Sequence, residues 1–134
     1  LRLKLPQQAA PVLFEPDHLR RVLVNLLDNA WRHAQAAALP WVALELSDVD
    51  GVLCRVSNPA APLAADVERY LFEPFFSTRS RGTGLGLYIC RELCDRYGAR
   101  IAFRLRAATR RHRNEFSIAM RRRALATVAE AVNP

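Results

Sequence analysis

Residues Gly82-Thr83-Gly84-Leu85-Gly86-Leu87 place glycine at every second position just ahead of an apolar-periodic stretch that closes at Gly98. Glycine permits positive φ and leaves no Cβ between the backbone and an approaching group. Such a turn lets main-chain N–H groups close on an anion, and the free amides and dipole of a following helix face the same point. Alone, the string is compatible with an ordinary turn. It gains meaning from Asn25-Leu26-Leu27-Asp28-Asn29-Ala30, more than fifty residues upstream. Asn25 and Asn29 are four apart, so both leave one helix face with Cβ atoms about 5–6 Å apart. An amide oxygen there can ligate Mg²⁺, a hard cation that prefers oxygen donors and keeps several waters. A metal-binding amide and a phosphate-cradling turn together describe a nucleotide pocket. A Rossmann turn is the wrong context, because it follows a buried strand and this one follows the arginine-bearing stretch Ser77–Arg81.

The periodicity along the chain places these motifs. Leu1-Arg2-Leu3-Lys4-Leu5 alternates with period two, as a short strand does. Val12-Leu13-Phe14 reads as a second extended piece. Pro16 suits the first turn of a helix, and Asp17 is favoured there by the helix dipole. Leu19, Val22, Leu23, Leu26, Leu27, Ala30 and Ala34 recur at threes and fours, one buried stripe of a helix of about five turns. Trp41–Leu46 and Val52–Val56 read as strands joined by a hairpin turn at Ser47–Gly51. Asn58–Arg81 is a long connection with a brief helical piece near Val67–Leu71, a pattern common in lids over a site. A second helix is expected from about Gly84 to Tyr97, with Gly98 as its left-handed cap. Ile101–Leu105 and Glu115–Met120 form a final hairpin, and Arg121–Val132 is a helical tail or linker. Strand, helix, two strands, lid, helix and two strands is not a βαβ series. It predicts an α+β, two-layer sandwich of a mixed sheet with helices on one face. Residues 1–121 form one domain and 122–134 a C-terminal tail.

Composition limits the partners. The 134 residues carry a net charge of +7 and are 51% apolar, enough for one core. There is no run of 18 apolar residues and no signal-peptide pattern at the start. The basic surface suits an anionic partner, although many arginines crowd the last third as a solvated hairpin and tail. No recognition-helix, zinc-finger or RNA-binding signature is present, so nucleic acid is not an expected partner. Cys54, Cys90 and Cys94 fit no disulfide framework and are expected to pack as buried free thiols.

Asn25-Leu26-Leu27-Asp28-Asn29-Ala30-Trp31-Arg32-His33-Ala34 resembles the N box of two-component sensor histidine kinases. Phe72-Glu73-Pro74-Phe75-Phe76 resembles their F box, and Gly82–Leu87 their second glycine box. The continuation Tyr88–Ala99 is most similar to kinases of the nitrogen-regulation and type IV pilus-regulation kind. The resemblance implies the Bergerat-type ATP-binding fold shared with DNA gyrase, and ATP and Mg²⁺ as ligands. It implies that Asn29 holds the metal, that Asn25, Arg32 and His33 lie near the phosphates, and that Arg81, Gly82, Thr83, Gly84, Leu85, Gly86 and Leu87 cradle them. Asn25 stands where the gyrase-type ATPases carry a glutamate base. An amide cannot take that proton at neutral pH, which favours phosphoryl transfer to a protein over hydrolysis.

The pattern departs from the family in one box. Where its members carry Asp-x-Gly-x-Gly to read adenine, this chain has Asn58-Pro59-Ala60-Ala61-Pro62. Asn58 can still accept from an amino group, without charge assistance, and Ser117 matches a strand position whose hydroxyl reaches adenine through water. None of His18, His33 and His112 carries the acidic neighbour of a phosphoacceptor box. The resemblance therefore implies a catalytic domain acting on a histidine of a separate dimerisation domain of the same protein. A response regulator would lie downstream, the location would be cytoplasmic, and the parent could be anchored in the inner membrane. The alternatives are a degenerate, non-catalytic module acting through protein contacts, and a stand-alone ATPase.

Overall fold

The computed structural model describes residues 1–35, 40–48, 51–59, 63–76, 84–107 and 112–123. Its elements run β1 (Arg2–Lys4), α1 (Pro16–Ala34), β2 (Ala43–Ser47), β3 (Val52–Asn58), α2 (Ala65–Arg69), α3 (Gly86–Arg96), β4 (Arg100–Ala107) and β5 (His112–Met120). The five strands form one sheet in the order β1-β2-β3-β5-β4. β1 runs parallel to β2, and every other pairing is antiparallel. The mixed sheet of the expected sandwich is therefore present.

Register explains which face the helices cover. Val52, Cys54 and Val56 on β3 pair with Met120, Ile118 and Phe116 on β5, and all six are buried. They share one side of the sheet, because alternate strand residues point the same way. α1 adds Val22, Leu26, Ala30 and Ala34, and α3 adds Cys90 and Cys94, to the same core. α1 packs on β3 and on α3, and α3 packs on β4. The opposite face carries charge: Arg55 on β3 lies between Glu45 of β2 and Glu115 of β5, at 3.8 Å from each.

α1 starts where expected. Pro16 occupies the first turn, and the Glu15 carboxylate accepts from the His18 N–H at 2.9 Å, a cap for a donor that has no partner within the helix. Two bonds to backbone N–H groups, from His18 and then Asp17, hold the Glu15 pKa below the usual carboxylate range. At the other end of the helical layer, Gly98 sits at φ +64 just beyond α3, the left-handed cap its sequence position implies.

Two expectations change. Val12 makes one bridge, to Arg122, and no strand forms at 12–14. The bridge is flanked by Leu13 N–H to Arg121 O and Arg123 N–H to Pro11 O, both 2.9 Å. Residues 121–123 thus pair with 11–13. β4 and β5 are also longer than the apolar alternation indicated. Their outer ends are polar, and cross-strand hydrogen bonds extend the ladder to Ala107 opposite His112. Residues 124–134 and the hairpin positions 49–50 lie outside the described residues.

Candidate functional site: a cleft between two helices

The cleft has a volume of about 230 Å³. It is framed by α1, by the N-terminal end of α3, and by the adjoining ends of β3, β4 and β5. α1 contributes Asn25, Asp28, Asn29, Arg32 and His33. These positions follow the same threes and fours as Val22, Leu26, Ala30 and Ala34, displaced to the neighbouring helix face. One helix thus supplies a buried stripe to the core and a polar stripe to the cleft. Facing it are Gly84, Gly86 and Leu87. A Cβ built on Gly86 would lie 3.9 Å from Asn25 Oδ1, so the asparagine helix and the glycine turn meet across the cleft.

The inner wall differs in chemistry. Asn58 ends β3 and Asn114 sits directly opposite it on β5. Their exposures are 1% and 3%. Phe103 and Phe116 flank them on the sheet, with ring centroids 5.2 Å apart, and Leu63, Val67, Leu71 and Phe76 close the side. The cleft therefore has a polar end between the two helices and an aromatic, amide-bearing end against the sheet.

Local electrostatics favour an anion at the polar end. α3 begins with Gly86, carries no side-chain cap and has no acidic residue in its first turn. Its first amides therefore meet the cleft without a carboxylate in front of them. Asp28 is the one carboxylate among the described lining residues, and Arg32 holds it at 3.1 Å on the exposed side of α1. Beneath Asn25 lies Cys90, fully buried, with its thiol 3.7 Å from Val22 O. Burial, reinforced by the neighbouring Cys94, pushes the Cys90 thiol up to about 12 against a weaker opposing bond to Asn25. The thiol beneath Asn25 is thus neutral at physiological pH.

Gly84 meets the backbone of Phe75 closely. It adopts φ +73, and a Cβ there would fall 2.4 Å from the Phe75 carbonyl carbon. The Phe75 N–H donates to Gly84 O at 3.0 Å, and Phe75 itself holds φ 64. The two ends of the 76–84 segment are therefore locked backbone to backbone, and only glycine allows that approach.

Of the residues picked out by sequence, Asn25, Asn29, Arg32, His33, Asn58, Gly84, Gly86 and Leu87 come together on the cleft. Leu85 is the N-cap residue of α3 and is not among the lining residues. Arg81, Gly82 and Thr83 lie outside the described residues. Ser117 pairs with Arg55 and Ala102, on the strand face opposite Asn114 and Phe116, and is not among the lining residues. An odd-numbered residue of β5 points away from the helices. Asn114, on the other face of the same strand, is among the lining residues. Sequence reasoning missed it because the apolar alternation begins at Phe116. The register that sets Asn114 against Asn58 is the signal that finds it.

Residues 14–123 match the family of histidine kinase-, DNA gyrase B-, and HSP90-like ATPases. The chain belongs to this family. Over 110 residues it is 41% identical to the sensor protein kinase PilS of Pseudomonas aeruginosa, covering 79% of the chain and 21% of PilS. It thus spans about a fifth of that relative's length. The mycobacterial sensor histidine kinase MprB shares the fold, with a TM-score of 0.75 at 21% identity over 92% of this chain and 82% of that one. The catalytic domain of histidine kinase ThkA superposes with a TM-score of 0.70 at 26% identity, over 87% of this chain and 76% of that one. A nucleotide-binding cleft is the shared feature of such a domain, and the sheet order, helix placement and cleft described above agree with it.

Proposed function

We propose that the chain is the ATP-binding catalytic domain of a two-component sensor histidine kinase. It transfers the γ-phosphoryl group of ATP to a histidine on a separate dimerisation domain of the same protein. The observation that carries this reading is the meeting of Asn25 with Gly86 over one cleft. A triphosphate tail and its counter-cation fit that polar end, and a base fits the aromatic end.

Each residue then has a role. The base lies against the wall that Phe103 and Phe116 form, with Asn58 and Asn114 at its edge. The α3 amides at Gly86 and Leu87 and the Arg32 and His33 side chains face the phosphates. Arg81, Gly82 and Thr83 are proposed to complete that cradle from the lid. Asn29 is the residue for Mg²⁺. It offers one oxygen donor on the cleft wall, and no group of three or more His, Cys, Asp or Glu able to hold a metal exists among the described residues. That sparse donor set fits a cation that completes its shell with water and phosphate oxygens. When bound, the cation supplies charge neutralisation on the phosphates.

In the reaction, a nitrogen of the acceptor histidine bonds to the γ-phosphorus as the bond from phosphorus to the β,γ-bridging oxygen breaks. ADP leaves with that electron pair. Little covalent work falls to this domain, since such catalysis is mainly positioning and charge stabilisation. Asn25 orients and hydrogen-bonds. Its amide has no basic lone pair to activate water, which directs the phosphoryl group to the protein acceptor. The parent protein is proposed to act on a response regulator and to carry a membrane anchor outside this domain. No helix among the described residues is long and apolar enough to cross a membrane.

Calorimetry with a non-hydrolysable ATP analogue and Mg²⁺ tests the reading. Saturable binding is expected, weakened at least about tenfold, about 1.4 kcal/mol, by Asn29→Ala. No heat at millimolar nucleotide would favour a non-catalytic module, for which the missing glycines at Ala60 and Pro62 are the argument.

A further inference from the structure

We propose that the base end of the cleft reads a purine through neutral amides, and that it therefore accepts 6-oxopurine triphosphates alongside ATP. The inference rests on the nucleotide reading above and specifies its substrate class. It starts from what surrounds the base position. The polar groups there are Asn58 and Asn114, 1% and 3% exposed and directly opposite each other in the β3–β5 register. Among the described residues, no carboxylate stands beside them on the cleft wall. Asp28 is at the other end, held by Arg32. Glu115, next to Asn114 in the chain, turns to the far face of the sheet and pairs with Arg55.

A carboxylate can only accept. It matches the 6-amino group of adenine and repels the carbonyl oxygen of a 6-oxopurine. An amide carries two N–H donors and an oxygen with two lone pairs. In one orientation its oxygen takes the 6-amino hydrogen and its N–H reaches N1. Turned half a revolution about its terminal bond, it donates to O6 and accepts from the protonated N1. Both matches use the same two hydrogen bonds. Because each amide has several donor and acceptor sites, a bond within the chain leaves capacity toward the base. Phe103 and Phe116 line the same end and offer apolar contact that adenine and hypoxanthine accept alike, so they do not restore the discrimination.

The experiment is equilibrium binding of the Mg²⁺ complexes of ATP, ITP and GTP to the 134-residue chain. ITP is expected to bind within about tenfold of ATP, and a preference for ATP beyond about tenfold overturns the proposal. Asn58→Asp, with Asn114→Asp as a second variant should the first not fold, is expected to widen the gap by about tenfold or more, the discrimination typical of one bidentate base contact. An unchanged ratio in a folded variant overturns it. GTP binding like ITP extends the tolerance to guanine. GTP excluded while ITP binds supports the edge reading, with the wall rejecting the 2-amino group. If none of the three binds, the nucleotide reading fails and this inference with it. If ATP binds and ITP does not, only this inference fails.

Discussion

Gly84 shows how one missing methyl shapes the site. Its φ of +73 and its approach to the Phe75 backbone leave no room for a Cβ. Gly84→Ala is expected to destabilise the fold by about 1–3 kcal/mol from backbone strain alone, and to loosen the lid base so that nucleotide affinity falls with it. A denaturant titration and a binding isotherm on the same variant check both, and a neutral variant would contradict the clamp. The cysteines make a second residue-scale case. Burial pushes Cys54 to about 11, Cys94 to about 11 and Cys90 to about 12, from an ordinary 9.0. The folded state therefore holds thiol protons that the unfolded chain releases. The sign follows: between pH 9 and about 11–12 the native state binds more protons, so stability declines as pH rises through that window and is unaffected by these groups below it. Thiol reagents at pH 8 are expected to label none of the three without denaturant, and rapid labelling of the native protein would refute their burial. Asparagine, glycine and cysteine were all legible as types. Their partners were not, since Phe75 against Gly84 and Cys90 beneath Asn25 are tertiary contacts.

At the scale of elements, α1 does two jobs with one periodicity. Leu26 is fully buried between the cleft-facing Asn25 and Asn29. Leu26→Ala removes core volume from the helix that carries both amides, and should cost about 2–5 kcal/mol. Thermal or chemical denaturation measures the loss, and a cost below about 1 kcal/mol would mean the stripe is not core. This helix was readable end to end, because apolar spacing, Pro16 and the acidic first turn agree. α3 was nearly so, with Gly98 marking its stop. The strands were harder. β4 and β5 run past their apolar alternation into polar residues, where only the partner strand defines the element. For the same reason Ser117 was chosen and Asn114 overlooked: a site residue on a strand depends on which face its parity selects, and parity becomes known when register does.

For the whole molecule, the core and the cleft share their walls. Phe116 is buried in the core and also lines the cleft; bound nucleotide should raise the melting temperature, and go on raising it with the logarithm of its concentration above Kd, as any ligand of the native state does. The two-layer architecture followed from element order, because strands and helices do not alternate as a repeated βαβ series; β1, α1 and β2 form one such unit and the other pairings are antiparallel. The pairing of residues 121–123 with 11–13 did not follow, because it rests on main-chain bonds that leave little trace in side-chain pattern. The phosphoacceptor histidine is proposed to lie on another domain, so mixing this chain with an isolated histidine-bearing dimerisation domain and labelled ATP should phosphorylate that domain and leave this chain unlabelled. The central claim is spatial, that one nucleotide bridges the asparagine helix and the glycine turn. A crystal structure with Mg²⁺ and a non-hydrolysable ATP analogue tests it most directly. Phosphates are expected between Asn29 and the start of α3, with the base against Asn58, Asn114 and Phe116. A nucleotide bound elsewhere, or a cleft that stays closed to it at saturating concentration, would contradict the account.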